Sequence, residues 1–203
     1  MIDLFISTAT NRLIFAIIKN NNILYLYNEI EKEGISEKFM DIIEKSFIEN
    51  NIDKKNINSV YVVNGPGSFT GIRVGLTFAK TLAWCLKSRI IPISTLELLA
   101  STPSDTKYIM PLIDARRDYI YFGLYDKNLN CIEKDKYVSI EEIKKYSNYT
   151  IVSDDEFNES IKPNIDILKI INKHKNDVSD NVHSLNPNYL KNTEAEEKYL
   201  KND

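Results

Sequence analysis

The chain has 203 residues, 43% of them hydrophobic, and a formal net charge of −3 from 26 basic and 29 acidic residues. This length and apolar content suit one large domain or two small lobes and exclude a disordered chain, while the near-balanced charge lacks the clustered basic surface of a stand-alone nucleic-acid binder. Two cysteines, Cys85 and Cys131, are too few for a disulfide scaffold and read as reduced, largely buried thiols. No apolar run approaches the roughly 20 residues of a bilayer-spanning helix, and the start, Met1–Ile6, lacks the basic region and long apolar core of a signal peptide. A cytoplasmic protein with no membrane partner is expected.

Ile2–Thr8 is rich in β-formers and reads as a strand. Leu13–Ile18 is a continuous apolar run, as expected of a strand buried on both faces. Lys19-Asn20-Asn21-Asn22 is a polar turn, because asparagine tolerates left-handed dihedrals, and Ile23–Tyr27 resumes as a third strand. Three short strands in succession make an antiparallel meander. Ser36 is placed to cap a helix reaching about Asn50, with Phe39, Ile42, Ile43, Ser46 and Phe47 on one stripe. Ser59–Val63 is the next strand, then a glycine-rich turn, a long helix to about Leu86, a strand at Arg89–Ile93 and a short helix capped by Ser94. A polar hinge, Ser101–Asp105, divides the chain.

Beyond the hinge, Tyr108–Ile113 and Tyr119–Tyr125 read as strands joined by the turn Asp114-Ala115-Arg116-Arg117-Asp118. Cys131–Val138 pairs back, Ser139 caps a short helix through Tyr146, and Thr150–Val152 is a further strand. Ile165–Ile171 leaves helix and strand open. The chain past Asn172 is mostly polar, apart from Leu185–Leu190. This gives an α/β chain with a first lobe at 1–102, a smaller second lobe at 103–190 and a charged tail at 191–203 that is expected to fray.

Four of the six glycines fall within Val62–Gly75. A strand, a Gly-Pro-Gly-Ser turn and a helix start together make a candidate anion site, because first-turn amides lack partners and the dipole end is positive. The candidate residues are Gly65, Gly67, Ser68, Thr70 and Gly71. The alternative is a sharp structural turn in which Ser68 and Thr70 cap the helix themselves. Neither common phosphate pattern fits. The Walker pattern lacks its lysine and glycine spacing, and in G-x-G-x-x-G the third glycine, Gly71, comes one residue late.

The helix that follows is apolar around most of its circumference. Ile72, Leu76, Ala79, Ala83 and Leu86 form one stripe, and Val74, Phe78, Leu82 and Cys85 form a second. Such a helix requires cover on two sides: a sheet, and then a neighbouring helix or a second chain. Gly75 in mid-helix points to close approach of another backbone, and Arg73 and Trp84 are residue types enriched at interface anchors. The expected partner face comprises Arg73, Val74, Gly75, Thr77, Phe78 and Thr81.

The two histidines, His174 and His183, lie in polar chain and are expected to be exposed. No H-E-x-x-H helix places two ligands on one face, which disfavours a metallopeptidase and gives no metal site. A stand-alone phosphotransferase requires a carboxylate beside the phosphate loop. Asp114 is its best candidate, against the reading that Asp114 caps its own turn.

Asn64-Gly65-Pro66-Gly67-Ser68-Phe69-Thr70-Gly71-Ile72-Arg73-Val74-Gly75, followed by Ala79-Lys80-x-Leu82-Ala83, resembles the signature of the bacterial TsaB (YeaZ) family. Ser94-Thr95-Leu96-Glu97-x-Leu99-Ala100, Ile113-Asp114-Ala115-Arg116-Arg117-Asp118-x-Ile120-Tyr121 and Pro187-x-Tyr189-Leu190-Lys191 resemble its later segments. The resemblance implies the actin/Hsp70-like (ASKHA) nucleotidase fold, with two related lobes and the second reduced. It implies a role in forming threonylcarbamoyladenosine on tRNA, at the adenosine 3′ of the anticodon. Members of the family are not the catalyst: they pair with a larger paralogue, TsaD, that transfers the threonylcarbamoyl group, and a small ATPase, TsaE, joins the complex. The resemblance further implies homodimers through the same helical face when TsaD is absent, contact with tRNA only through the complex, and ATP or ADP as candidate ligands at the joint with the partner. Ser7 stands where the family usually carries an Asp, which argues against autonomous ATP hydrolysis, and a His often found at the start of the first helix is replaced in the region Ile35-Ser36-Glu37.

Overall fold

The computed structural model describes residues 1–31 and 34–191, with only the backbone of Ser36; the charged tail at 192–203 lies outside the described residues. Strands β1 (Ile2–Ser7), β2 (Arg12–Lys19) and β3 (Asn22–Ile30) form the expected antiparallel meander. Helix α1 (Ile35–Glu49) leads to β4 (Ile57–Gly65), α2 (Phe69–Leu86), β5 (Arg89–Ser94) and α3 (Thr95–Ala100). The first sheet has the order β3-β2-β1-β4-β5, with β4 parallel to both β1 and β5. Leu13–Ile18 is fully buried because the sheet is covered on both faces, by α1 and α2 on one side and by α3 and the later helix α4 on the other.

The second half repeats this plan with one strand fewer. Strands β6 (Tyr108–Asp114), β7 (Tyr119–Asp126) and β8 (Cys131–Ser139) form an antiparallel meander, and β9 (Tyr149–Val152) runs parallel to β6. The order β8-β7-β6-β9 matches β3-β2-β1-β4 of the first sheet. Two mixed sheets of related topology, flanked by helices, make the actin/Hsp70-like arrangement, with the second lobe reduced.

Local chemistry explains most boundaries. Ser94 Oγ accepts from the amides of Leu96 and Glu97 and starts α3; Ser139 Oγ accepts from Glu141 and starts a short 3-10 helix, Ile140–Lys145, rather than an α-helix. Helix α1 begins one residue before Ser36, after Gly34 in the left-handed region (φ 70°), so Ser36 lies inside the first turn instead of capping it. The ambiguous stretch resolves as α4 (Ile167–His174), whose Asp166 Oδ1 accepts from Lys169 N at 2.9 Å and whose Ile167, Ile170 and Ile171 enter the core. Beyond α4 the chain runs back to the first sheet, where Asp180 N donates to Ile90 O at 3.0 Å and Asn188 N to Asn64 O at 2.7 Å.

Two expectations about side chains are corrected. Both cysteines are exposed: Cys85 sits on the outer flank of α2, and Cys131 opens the edge strand β8. His174 is half-buried, and only His183 is exposed. Among the described residues, no helix is long and apolar enough to cross a membrane.

Candidate functional site

The glycine-rich turn is shaped by contact with the β1–β2 connection. Gly65 and Gly67 have φ of 120° and 154°, and a Cβ on Gly67 would lie 2.1 Å from Ala9 O. Ser68 N donates to Ala9 O at 2.6 Å, Thr8 Oγ1 donates to Gly71 O at 2.7 Å, and Ser68 Oγ accepts from Gly71 N at 3.3 Å to cap α2. Several polar groups of the turn are therefore occupied within the chain. Gly65 and Gly71 are buried, Gly67 is half-buried, and Ser68 and Thr70 are exposed.

Gly67 and Ser68 form one wall of a cleft between the lobes of about 510 Å³; Asp114, Arg116, Tyr121, Asp154 and Asp155 stand on the second lobe's side. Asp154 accepts two bonds from Arg12, at 2.8 Å from Nε and 2.6 Å from an Nη, and so ties the lobes together across the cleft. Asp114 Oδ1 accepts from Arg116 N at 2.8 Å, the turn-capping role, while the Asp114 amide donates to Asp155 Oδ2 at 2.8 Å. Burial, reinforced by the neighbouring Asp114 and Asp154 charges, pushes the Asp155 carboxyl up despite that amide bond. Among the described residues, no group of three or more His, Cys, Asp or Glu side chains is placed to hold a metal ion.

Helix α2 divides into three flanks. Gly71, Ile72, Gly75, Leu76, Ala79 and Ala83 are buried against the sheet. Val74, Phe78 and Leu82 are half-buried beside α1, where Phe78 meets Phe39 edge-on with ring centroids 5.3 Å apart. The third flank is open: Arg73, Thr77, Thr81, Trp84 and Cys85 are exposed, Trp84 at 61%. Met40 of α1 (52% exposed) and Phe69 (46%) border the same side. On this side Met40, Phe69, Val74 and Phe78, with Arg73, Thr77 and Thr81, line an apolar groove of about 620 Å³.

Of the expected partner-face residues, Arg73, Val74, Thr77, Phe78 and Thr81 line this groove together. Gly75 does not. It faces β1, and a Cβ there would lie 2.3 Å from Thr8 Oγ1, so the close approach that Gly75 permits is with the chain's own first strand. The returning C-terminal segment borders the groove from the other side. Lys80 Nζ donates to Leu185 O at 2.7 Å, Tyr189 stacks on Phe69 with centroids 5.1 Å apart, and Arg73 lies 3.7 Å over the Phe69 ring while its Nε donates to the Tyr189 hydroxyl. Sequence spacing did not reveal this stack, although Leu185–Leu190, the one less polar stretch past Asn172, was its available signal.

A second polar cluster lies at the junction of the lobes. His174 Nε2 is 2.9 Å from Glu97 Oε1, and Nδ1 is 2.6 Å from Asp177 Oδ2. Lys173 also bonds Glu97, whose residue is only 7% exposed. Burial alone would lower the His174 pKa, but Glu97 and Asp177 outweigh it and hold the imidazolium above its ordinary value. Burial likewise opposes the Glu97 charge, and His174 and Lys173 overcome it, so Glu97 is depressed. A raised histidine stabilises the fold below its unfolded value of about 6.5, and that contribution is lost as pH rises through the folded value. Denaturant unfolding is therefore expected to show stability falling above about pH 6.5, and His174→Gln should flatten that part of the profile. An unchanged slope in the variant would remove His174 as its source.

The geometry can be set beside known proteins. Residues 29–179 match the model of the family described as TsaD, tRNA N6-adenosine threonylcarbamoyltransferase. The chain is 33% identical over 135 residues to the Bacillus subtilis tRNA threonylcarbamoyladenosine biosynthesis protein TsaB, covering 66% of this chain and 59% of that protein. It is 26% identical over 132 residues to Escherichia coli TsaB, covering 64% and 57%. The matched stretch thus spans less than two thirds of each of these two relatives. The solved structure of YeaZ from Pseudomonas aeruginosa superposes with a TM-score of 0.78 at 16% identity, covering 93% of this chain and all of that one, and so shares the fold. With the glycine-rich turn, the second-lobe hairpin and the C-terminal segment all in place on that fold, the chain belongs to the TsaB (YeaZ) family.

Proposed function

We propose that this chain is a non-catalytic partner subunit in the biosynthesis of threonylcarbamoyladenosine on tRNA. It presents the α1–α2 groove to a larger, TsaD-type paralogue that performs the transfer. The observation that carries this reading is the open apolar flank of α2, with Phe69, Met40 and Trp84 exposed around half-buried Val74 and Phe78. An exposed apolar patch of this kind marks an interaction surface. Ser7 at the end of β1, in place of a carboxylate, and Asp114, engaged by its own turn, support the non-catalytic assignment. The groove residues Arg73, Val74, Thr77, Phe78 and Thr81 form the interface. Without the paralogue, two copies pair through the same face. A TsaE-type ATPase joins the assembly, any ATP or ADP lies at the joint, and Gly67 and Ser68 face that joint through the cleft. The lobes divide near 102, and the chain that follows α4 returns to the first sheet before it reaches 190.

Native mass measurement of the chain alone and mixed with a TsaD-type transferase tests the reading. A dimer alone that exchanges for a one-to-one pair, with transfer activity appearing only in the mixture, is expected. ATP hydrolysis by the isolated chain that disappears in Asp114→Ala would replace this reading with an autonomous phosphotransferase.

A further inference from the structure

The hairpin joining β6 to β7 has no role in the partner groove, yet its backbone is unusual. Arg116, Arg117 and Asp118 have φ of 67°, 56° and 63°, three consecutive non-glycine residues in the left-handed region. That conformation is sterically disfavoured for residues with a Cβ, and strained backbone of this kind concentrates at functional sites. The tip is held in place from several directions. Ala115 N donates to Tyr119 O at 3.0 Å, Tyr119 N to Arg116 O at 3.2 Å, and Ile140 N to Asp118 O at 2.9 Å. Asp114 turns inward onto the Arg116 amide. Arg116 and Arg117 are exposed, and among the described residues neither makes an ion pair.

Beside these arginines the sheet carries a tyrosine ladder. Tyr121 and Tyr137 are cross-strand partners, and Tyr119 lies two residues along the same face. Tyr119 and Tyr137 stack with centroids 4.8 Å apart and planes inclined by 14°; Tyr137 meets Tyr121 at 5.6 Å, and Lys191 Nζ lies 5.3 Å from the Tyr137 ring. The ladder ends on Tyr119, which is 41% exposed. Arg116 lines the interlobe cleft with Ser68, and the next residue, Phe69, lines the partner groove, so the hairpin and the groove are joined along one rim.

We infer that this hairpin contacts single-stranded RNA: an unstacked base lies on the outer face of Tyr119, and the flanking phosphates meet Arg117 and Arg116. A ring stack ending on an exposed aromatic, beside planar guanidinium groups, is the combination that holds unpaired bases and phosphates without reading sequence. An acidic protein patch would pair with the arginines but has no use for the ladder. Asp118 remains at the tip and keeps the contact weak, so it supplements an RNA held chiefly by the assembly. The inference rests on the proposed function only for the source of the RNA, a loop of the tRNA substrate.

The test uses the chain paired with its transferase and an anticodon stem-loop RNA carrying a fluorescent purine analogue whose emission is quenched by stacking. Tyr119→Leu keeps apolar bulk but removes the ring, and is expected to weaken RNA binding about tenfold and abolish the quenching. Tyr119→Phe should retain both. Arg117→Ala should weaken binding severalfold and lower the salt slope by about one. Unchanged affinity and quenching in Tyr119→Leu would overturn the inference. So would loss of transferase pairing, rather than RNA binding, in Arg117→Ala, which would make the hairpin a protein contact. If no pair forms at all, the proposed function falls, and the same titrations on the chain alone decide the RNA contact: Tyr119-dependent binding supports it and its absence overturns it.

Discussion

Thr77→Arg is expected to weaken pairing with a TsaD-type transferase by about thirtyfold or more while leaving the isolated chain as stable as before. Thr77 is exposed at the middle of the groove, between Arg73 and Thr81 on α2. Arginine is at least as good a helix former as threonine, and an exposed position on a helix tolerates the change within about 0.5 kcal/mol. In the complex the same guanidinium is buried without a partner next to Arg73. An unpaired buried charge costs about 2–5 kcal/mol, which corresponds to roughly thirtyfold or more in affinity. Titration calorimetry for pairing and denaturant unfolding for stability separate the two effects. Phe78 is a poorer probe, because its ring packs edge-on against Phe39 and a charge there would also damage the core. Full-strength pairing by the Thr77→Arg chain would move the interface off this groove.

Gly75→Ala is expected to respond to a second change at Thr8, and Gly71→Ala is not. A Cβ on Gly71 would lie 2.0 Å from Thr8 O, a backbone atom that cannot move without shifting β1. Its loss of about 3 kcal/mol or more should persist in a Thr8→Ala background. A Cβ on Gly75 would instead lie 2.3 Å from Thr8 Oγ1, a side-chain atom fixed by its bond to Gly71 O. Gly75→Ala alone should cost about 1–3 kcal/mol. With Thr8→Ala the clash is gone, the remaining contacts at 3.5 Å are ordinary, and alanine's helix preference should make the same change favourable by up to about 1 kcal/mol. Unfolding of the three single and two double variants beside the parent chain forms two double-mutant cycles. A Gly75→Ala cost that is insensitive to Thr8 would show that the helix is not seated as described. Neither change touches the groove, so pairing by the folded fraction should be unaffected.

The order of elements was legible from local signals. Hydrophobic period, turn residues and the capping serines Ser94 and Ser139 act over a few residues, so they appear in the chain as written. The same is true of the candidate site in outline: the concentration of glycine marked the turn, and the apolar circumference of α2 required a second cover, from a neighbouring helix or a second chain. Ser36 does not hold the cap position because α1 starts one residue earlier, at Ile35, with Gly34 at its N-cap.

What the tertiary structure alone decided is which groups meet across long separations. Periodicity could say that α2 has two apolar flanks, but only the seating of α1 and the returning C-terminal segment determined which strip stayed open. The same packing turned Gly75 inward onto Thr8, set His174 between Glu97 and Asp177, left both cysteines exposed and put Tyr189 on Phe69. Secondary structure is governed by neighbours along the chain, whose spacing the sequence fixes covalently. A helix's orientation about its axis and the partners of a polar side chain are set by the best joint packing of distant segments, which no local pattern encodes.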